Sequence, residues 1–271
     1  MSPKPIGLIA GSGQFPLIFA KKAKTKGFEV FTAALKNEAD ETLASHSKAM
    51  EWLYVGQIKR LIKFFRKNGV SQAVMMGAIE KRRLITNIRP DTKTIAILAK
   101  MRHTHDDGVL RAFAAVMEDE GVTILESTFL LPELLAPEGC WTKSKPTKIQ
   151  KDDLALGWKL AKTIGSLDIG QCILVAGGSV MAVEAIDGTD ATIKRGGELG
   201  QGDAVLVKTC KPNQDRRFDI PAVGIETIRT MHAAGVKAIA IEAGKTVVFD
   251  RKEMIALADK YKITIVAWQH D

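Results

Sequence analysis

The stretch Ile6-Gly7-Leu8-Ile9-Ala10-Gly11-Ser12-Gly13-Gln14-Phe15-Pro16 decides the fold. Residues 6–10 are a short apolar run, which reads as a buried strand. Gly11-Ser12-Gly13 reads as a turn, and residues 14–26 follow a helical pattern. Pro16 stands near the first helical position, Phe15, Ile18, Phe19 and Ala23 make an apolar stripe, and Gly27 stops the helix. Residues 28–34 are strand-like again. The alternation recurs outward. Residues 57–68 put Ile58, Leu61, Ile62 and Phe65 on one face and Lys59, Arg60, Lys63 and Arg66 on the other. Gly69 ends that helix, residues 70–76 form a strand, residues 108–120 a helix, and residues 122–126 a strand. This succession predicts βαβ units around a parallel sheet, an N-terminal domain over residues 1–130.

Residues 131–153 break the rhythm. Pro132, Pro137, Gly139 and Pro146 stand among Lys143, Lys145, Lys148 and Lys151, and the stretch reads as a linker. Residues 154–271 read as a C-terminal α/β domain of mixed pattern. Its helices are expected near 152–164, 225–234 and 251–260. Its strands are expected near 172–176, 180–186, 204–209, 236–241, 246–250 and 263–267.

A chain of 271 residues has room for two such domains. Hydrophobic residues at 46% and charged residues at 26% are globular proportions and exclude a disordered chain. Lys plus Arg outnumber Asp plus Glu by 39 to 31, a formal charge of +8 that favours phosphates, nucleic acid or acidic lipid as partners. Cys140, Cys172 and Cys210 form no CxxC pair, which fits a reducing compartment and argues against a disulfide framework or zinc ribbon. The glycine-broken N-terminus is not expected to be a signal peptide, and no run approaches the roughly 18 apolar residues of a membrane-spanning helix. A soluble, intracellular protein that touches a membrane surface is expected.

Five motifs could carry chemistry. The turn Gly11, Ser12, Gly13 at a helix start can present backbone amides to a phosphate. A full dinucleotide fingerprint would need glycine near Pro16 and an acidic residue after the second strand, near Ala33 and Ala34, and both are missing. A plain tight turn fits the same residues. Gly77 and the basic run Lys81, Arg82, Arg83 follow a strand, beside the first turn in a parallel sheet, and could equally form a solvated loop. In His103-Thr-His105-Asp106-Asp107-Gly108 the spacing is not that of a helical HxxxH zinc pair, and Asp106 or Asp107 capping the next helix is the better reading. Glu184 precedes a turn and a helix that Thr189 or Asp190 could cap, where helix-start amides and Arg195 could meet a phosphate; an ordinary capped helix is the alternative.

The densest motif runs from Lys208 through Lys211, Gln214, Asp215, Arg216 and Arg217 to Asp219, between an apolar strand and Pro221. Hydrolysis of a phosphoanhydride needs such a set: cations to neutralise developing charge, and a carboxylate to hold a metal ion or orient water. A solvated loop with local ion pairs would also fit.

At these motifs the chain resembles the UDP-2,3-diacylglucosamine pyrophosphatases of the LpxI type. The likeness runs nearly end to end. It includes Gly11-x-Gly13-x-x-Pro16, Gly77 and its basic loop, Asp106-Asp107 with Leu110-Arg111, and Ser166-Leu-Asp168-Ile-Gly170-Gln171. It continues through Val183-Glu184-Ala185, Gly188-Thr189-Asp190-Ala191, and Lys208-x-x-Lys211-Pro212-x-Gln214-x-x-Arg217-x-Asp219-x-Pro221-x-x-Gly224. The linker and residues 36–55 match weakly.

The resemblance implies cleavage of UDP-2,3-diacylglucosamine to lipid X and UMP on the route to lipid A. It implies a Rossmann-like domain and a distinct C-terminal domain with the lipid nucleotide between them, dependence on Mg²⁺, and an essential aspartate at Asp219. With Asp219 taken from the resemblance and the cations from the charge that phosphoanhydride cleavage develops, Asp219, Lys211 and Arg217 are expected to be catalytic. Gly11, Ser12, Gly13, Gly77, Thr189, Asp190, Lys208 and Gln214 are expected to bind substrate, and Asp219 and Glu184 to hold the metal. The expected location is the cytoplasmic face of the inner membrane, without nucleic acid, with a homodimer among the open assembly states.

Two rivals remain at this stage. A nucleotide-binding oxidoreductase with a degenerate Rossmann site lacks the glycine pattern and the acidic partner. A nucleic-acid module would interleave aromatics with cations. The chain has two Tyr and four Trp, none in the Lys211 to Arg217 cluster.

Overall fold

The computed structural model describes residues 3–79, 88–100 and 106–269. In the N-terminal part, β1 (Lys4–Ala10) leads into α1 (Phe15–Thr25), β2 (Phe28–Leu35) and β3 (Ala49–Leu53). Then come α2 (Ile58–Lys67), β4 (Gln72–Met76), α3 (Thr92–Lys100), α4 (Asp106–Asp119) and β5 (Thr123–Leu125). The five strands pair in the order β3-β2-β1-β4-β5, all parallel. The chain starts in the middle of the sheet, runs out through β2 and β3, then returns to the other side of β1. The switch point therefore lies between β1 and β4, where open α/β sheets place their ligands.

The helices form for local reasons. Pro16 occupies the opening turn of α1, where its missing N–H costs nothing. In α2, Ile58, Leu61, Ile62, Phe64 and Phe65 are buried while every cation faces out. Phe65 is fully buried, and truncation to alanine would cost about 3–5 kcal/mol. The run at 49–53 carries no clean alternation, and β3 is held by pairing with β2.

In the C-terminal part, β6 (Gly139–Cys140) precedes α5 (Lys148–Ser166), the hairpin β7 (Cys172–Ala176) and β8 (Ser179–Val183), and α6 (Thr189–Leu199). There follow β9 (Val205–Lys208), β10 (Ala222–Val223), α7 (Ile225–Ala233), β11 (Ala238–Glu242), β12 (Val247–Val248), α8 (Arg251–Tyr261) and β13 (Thr264–Trp268). Six strands pair in the order β6-β13-β11-β9-β7-β8. Strands β9, β11 and β13 are parallel, whereas β6, β7 and β8 pair antiparallel, so the sheet is mixed. The period of two is visible in its packing. Ile173, Val175, Val205 and Val207 meet Leu154 and Trp158 of α5, while Cys172, Leu174 and Leu206 join a second core with Ile193, Ile228 and Met254.

The stretch 131–153, expected as a linker, holds a 3-10 turn at Pro132–Leu134, strand β6 and the first turns of α5. Thr147 and Gln150 cap that helix reciprocally: the Gln150 amide donates to Thr147 Oγ1 at 3.2 Å, and the Thr147 amide to Gln150 Oε1 at 3.0 Å. By contact density the chain divides into one unit of Met1–Pro132 with Asp215–Asp219, and another of Glu133–Gln214 with Ile220–Asp271. The five residues ending in Asp219 thus pack with the N-terminal sheet.

Candidate active site

At the switch point of the N-terminal sheet, the turns after β1 and β4 are zipped together. Gly11 donates its amide to the Met76 carbonyl at 2.8 Å, and Ser12 donates both its amide and its hydroxyl to the Ala78 carbonyl, each at 2.8 Å. The Ala78 amide returns a bond to the Ser12 carbonyl at 3.1 Å. Glycine is required on both sides: a Cβ on Gly11 would lie 2.5 Å from the Ala78 oxygen, and one on Gly77 2.6 Å from the Ser12 oxygen. The structure thus brings together the predicted Gly11, Ser12, Gly13 and Gly77. It also spends the Ser12 donors inside the protein, which leaves the start of α1 as the part that can meet an anion. Lys81, Arg82 and Arg83, and His103 and His105, lie outside the described residues. Helix α4 begins at Asp106, ahead of the expected residue 108.

The segment Asp215–Asp219 is a tight turn organised by Asp215. Arg217 closes a fork on it, Nε donating to Oδ1 at 2.9 Å and Nη2 to Oδ2 at 2.7 Å. Arg111 adds its charge with Nε 3.8 Å from Oδ2. The fork with Arg217 is the main cause holding the Asp215 carboxyl below the usual carboxylate range, and the same pairing raises Arg217. The Asp215 carbonyl accepts the amides of Phe218 at 3.0 Å and Asp219 at 3.1 Å. The amide and hydroxyl of Ser127 both donate to the Arg216 carbonyl at 3.1 Å. Phe218 packs on the core of Ile58, Leu61, Phe65 and Met117. Asp219 is therefore carried, partly buried, on an anchored turn.

In the C-terminal unit, the predicted Lys208, Thr189, Glu184, Gln214 and Lys211 belong to one hydrogen-bonded chain. Lys208, only 7% exposed at the end of β9, donates Nζ to Thr189 Oγ1 at 3.1 Å and to the Ala222 carbonyl at 3.0 Å. Thr189 donates its hydroxyl to Glu184 Oε1 at 2.7 Å, and the Gln171 amide donates to Glu184 Oε2 at 3.0 Å. Gln171 and Gln214 meet side chain to side chain at 3.4 Å. Gln214 Oε1 accepts the Lys211 amide at 2.9 Å, and Lys211 Nζ donates to Asp168 Oδ1 at 2.6 Å. Asp190 is exposed in the first turn of α6.

Helix α6 departs from expectation in its cap. Gly188 is the cap residue and no side chain caps the helix, because Thr189 turns its hydroxyl onto Glu184. Arg195, read from the sequence as able to reach a phosphate, is bonded to Asp187 and to the Val183 carbonyl. Cys172 is no nucleophile: burial first, and then the Glu184 carboxylate, push its thiol far above the ordinary value.

Behind the chain, Glu242 is 1% exposed and accepts Lys162 Nζ at 2.6 Å and the Cys210 amide at 2.9 Å, both on Oε2. Lys245 Nζ stands 2.9 Å from Oε1. Burial alone would raise the Glu242 carboxyl, yet its donors, with Lys162 first, hold it below its usual range. This keeps the backbone at Cys210, one residue before Lys211, fixed to the sheet.

Sequence reasoning quoted Asp168, Gln171 and Asp215 within motifs but gave none of them a role in the site. Asp168 did carry a signal. It stands just past the end of α5, where a left-handed glycine is usual, and it holds φ 57°.

The fold and these residues define an α/β protein that carries lysines and carboxylates on the loops following its strands. A model of the LpxI N-terminal domain matches residues 5–134, and one of the LpxI C-terminal domain matches residues 137–266. The chain belongs to the LpxI family. It is 32% identical over 267 residues to UDP-2,3-diacylglucosamine pyrophosphatase LpxI of Caulobacter vibrioides, covering 94% of each chain. Among solved structures, the biotin carboxylase domain of Hydrogenobacter thermophilus 2-oxoglutarate carboxylase is similar over 66% of this chain at 13% identity. This chain spans 36% of that one, and the TM-score of 0.30 is too low to bear on fold or function.

Proposed function

We propose that this chain hydrolyses the pyrophosphate bond of UDP-2,3-diacylglucosamine, giving 2,3-diacylglucosamine 1-phosphate and UMP in lipid A biosynthesis. The carrying observation is the near full-length similarity to an enzyme named for that substrate. The oxidoreductase alternative gains no support. Asp219 serves as the acidic residue of the reaction. Lys208 and Lys211 take up the charge that grows on the phosphate oxygens. An ammonium has three donors, and two of those on Lys208 are spent on Thr189 and Ala222, so one remains for substrate. Arg217 acts at one remove, through the Asp215 fork that shapes the turn under Asp219.

Magnesium suits the chemistry of the expected ligands. Phosphate-bound Mg²⁺ commonly takes only one or two carboxylates, which Asp219 can supply. Glu184, the other expected ligand, accepts the Gln171 amide and the Thr189 hydroxyl, one on each oxygen, and each oxygen keeps a further lone pair for a cation. Among the described residues no group of three or more His, Cys, Asp or Glu gathers for a metal. When bound, Mg²⁺ would supply neutralisation of the diphosphate charge.

Membrane contact is peripheral in this reading. No helix among the described residues is long and apolar enough to cross a membrane. Lys59, Lys63, Arg66, Lys67 and Lys93 line an open groove along α2, together with Glu120, which pairs with Arg66 and Lys93. Such a stripe suits an anionic lipid surface.

The test is direct: purified chain, Mg²⁺ and UDP-2,3-diacylglucosamine in detergent, with nucleotide release followed by chromatography. UMP should accumulate in step with the lipid monophosphate. Intact substrate after prolonged incubation refutes the reading.

A further inference from the structure

A substrate with two acyl chains brings hydrocarbon as well as diphosphate, and a site that holds its head group needs apolar surface beside the cations. Two turns of the C-terminal unit supply it. The first, at 167–170, follows α5. Its amides close back on the helix, Asp168 onto the Gly165 carbonyl and Ile169 onto that of Ile164, both at 3.1 Å. In this ending the residue at the Ile169 position ordinarily packs against the helix. Here Ile169 remains 48% exposed and Leu167 65% exposed. The second turn, at 185–188, leads into α6, and Ile186 at its tip is 87% exposed.

Single exposed aliphatic side chains are ordinary. These three stand apart because their turns are one assembly with the cation network. Gly170 presses on Glu184 so closely that a Cβ there would lie 2.1 Å from the Glu184 carbonyl oxygen. The next residue, Gln171, bonds the Glu184 carboxylate. Between Leu167 and Ile169 stands Asp168, which grips Lys211. Two residues before Ile186 stands Glu184, which holds Thr189 and through it Lys208. Each turn thus offers aliphatic surface to solvent and a carboxylate to the network, the division an amphiphile requires.

We propose that Leu167, Ile169 and Ile186 form an acyl-binding rim that takes hydrocarbon chains of the lipid-linked nucleotide while Lys208 and Lys211 engage its phosphates. The proposal rests on the hydrolase reading above and adds the place where chain length is sensed.

The test compares the wild-type chain with the double variant Ile169→Ser, Ile186→Ser on long-chain and short-chain UDP-2,3-diacylglucosamine, in one detergent at fixed concentration. Ile149→Ser serves as control, since Ile149 is 68% exposed at the start of α5. Shortening or polarising one aliphatic contact changes selectivity by about tenfold or more. The double variant should raise KM for the long-chain substrate by about that factor and leave the short-chain substrate near wild type, with the control unchanged. Thermal unfolding should stay at the wild-type midpoint. If wild type prefers long chains and the variant keeps the same preference, the rim is wrong and the hydrolase reading stands. If wild type cleaves neither substrate, the hydrolase reading falls and takes the rim with it. Unaltered chain-length preference combined with weaker binding to vesicles would assign these side chains to a bilayer and overturn the rim.

Discussion

The Asp168 carboxylate holds the Lys211 ammonium at 2.6 Å from a backbone in the left-handed region, φ 57°. A non-glycine residue there costs roughly 1–2 kcal/mol, less for Asp than for most. The ion pair itself is partly exposed and contributes about 0.2–1 kcal/mol. Asp168→Gly should therefore leave stability within about 1 kcal/mol of wild type while removing the carboxylate that positions Lys211. Turnover should fall about tenfold. Denaturant midpoints and kcat on the same preparations check this; a large stability loss with unchanged kcat would show a purely structural residue.

Asp219→Ala should lower turnover by about a thousandfold or more, the scale on which transition-state electrostatics operate. Asp219 is only partly buried and its turn is held by the Asp215 carbonyl and Ser127, so folding should survive. Circular dichroism and UMP release measured together separate the two effects. Wild-type-like release would remove Asp219 from the reaction.

Glu242 makes stability depend on acid. Its carboxyl lies below its usual value in the folded chain, so its contribution is fully present above the unfolded value and lost as pH falls through the folded one. Wild type should therefore lose stability below about pH 4.5 through this residue. Glu242→Gln should cost about 1–3 kcal/mol at neutral pH by removing the charge that Lys162 and the Cys210 amide bond, and the gap to wild type should narrow on acidification. Urea midpoints for both chains at neutral and acid pH give the comparison. A gap that does not change with pH contradicts the assignment.

Gly170→Ala places a methyl 2.1 Å from the Glu184 carbonyl oxygen, a clash with backbone that cannot swing away. The expected cost is about 1–3 kcal/mol with a marked loss of activity, since Glu184 holds both Gln171 and Thr189. A thermal midpoint and activity like wild type would show that the two turns are not coupled.

Charge reversal on α2, Lys63→Glu with Lys67→Glu, should weaken binding to phosphatidylglycerol vesicles by about tenfold or more, given about 1 kcal/mol per basic residue near the surface. Wild-type binding should itself weaken as salt rises. Cosedimentation reads both, and salt-independent binding would count against an electrostatic contact.

Much of the fold could be read from short-range pattern. The apolar runs at 6–10, 28–34 and 172–176 declare their strands because these are buried on both faces, and α2 declares itself because it buries one stripe at the helical period. Strand β3 did not, since Met50, Glu51 and Trp52 alternate weakly and the strand depends on β2 for its place. The start of α5 was hidden by prolines and lysines, although Thr147 and Gln150 spell a capping box. In the candidate site, Lys208, Lys211, Gln214 and Glu184 were visible as chemistry. Their partners were not, because Lys211 and Asp168 lie 43 residues apart along the chain and only the folded backbone joins them.

The backbone crosses from one contact unit to the other after Pro132, after Gln214 and after Asp219. Truncation at residue 132 would strip the N-terminal sheet of Phe218, which packs on its core, and of Asp219 with it. The halves are therefore not interchangeable cassettes: a gene fragment encoding either alone yields an unfinished body, and recombination between relatives must respect three seams instead of one.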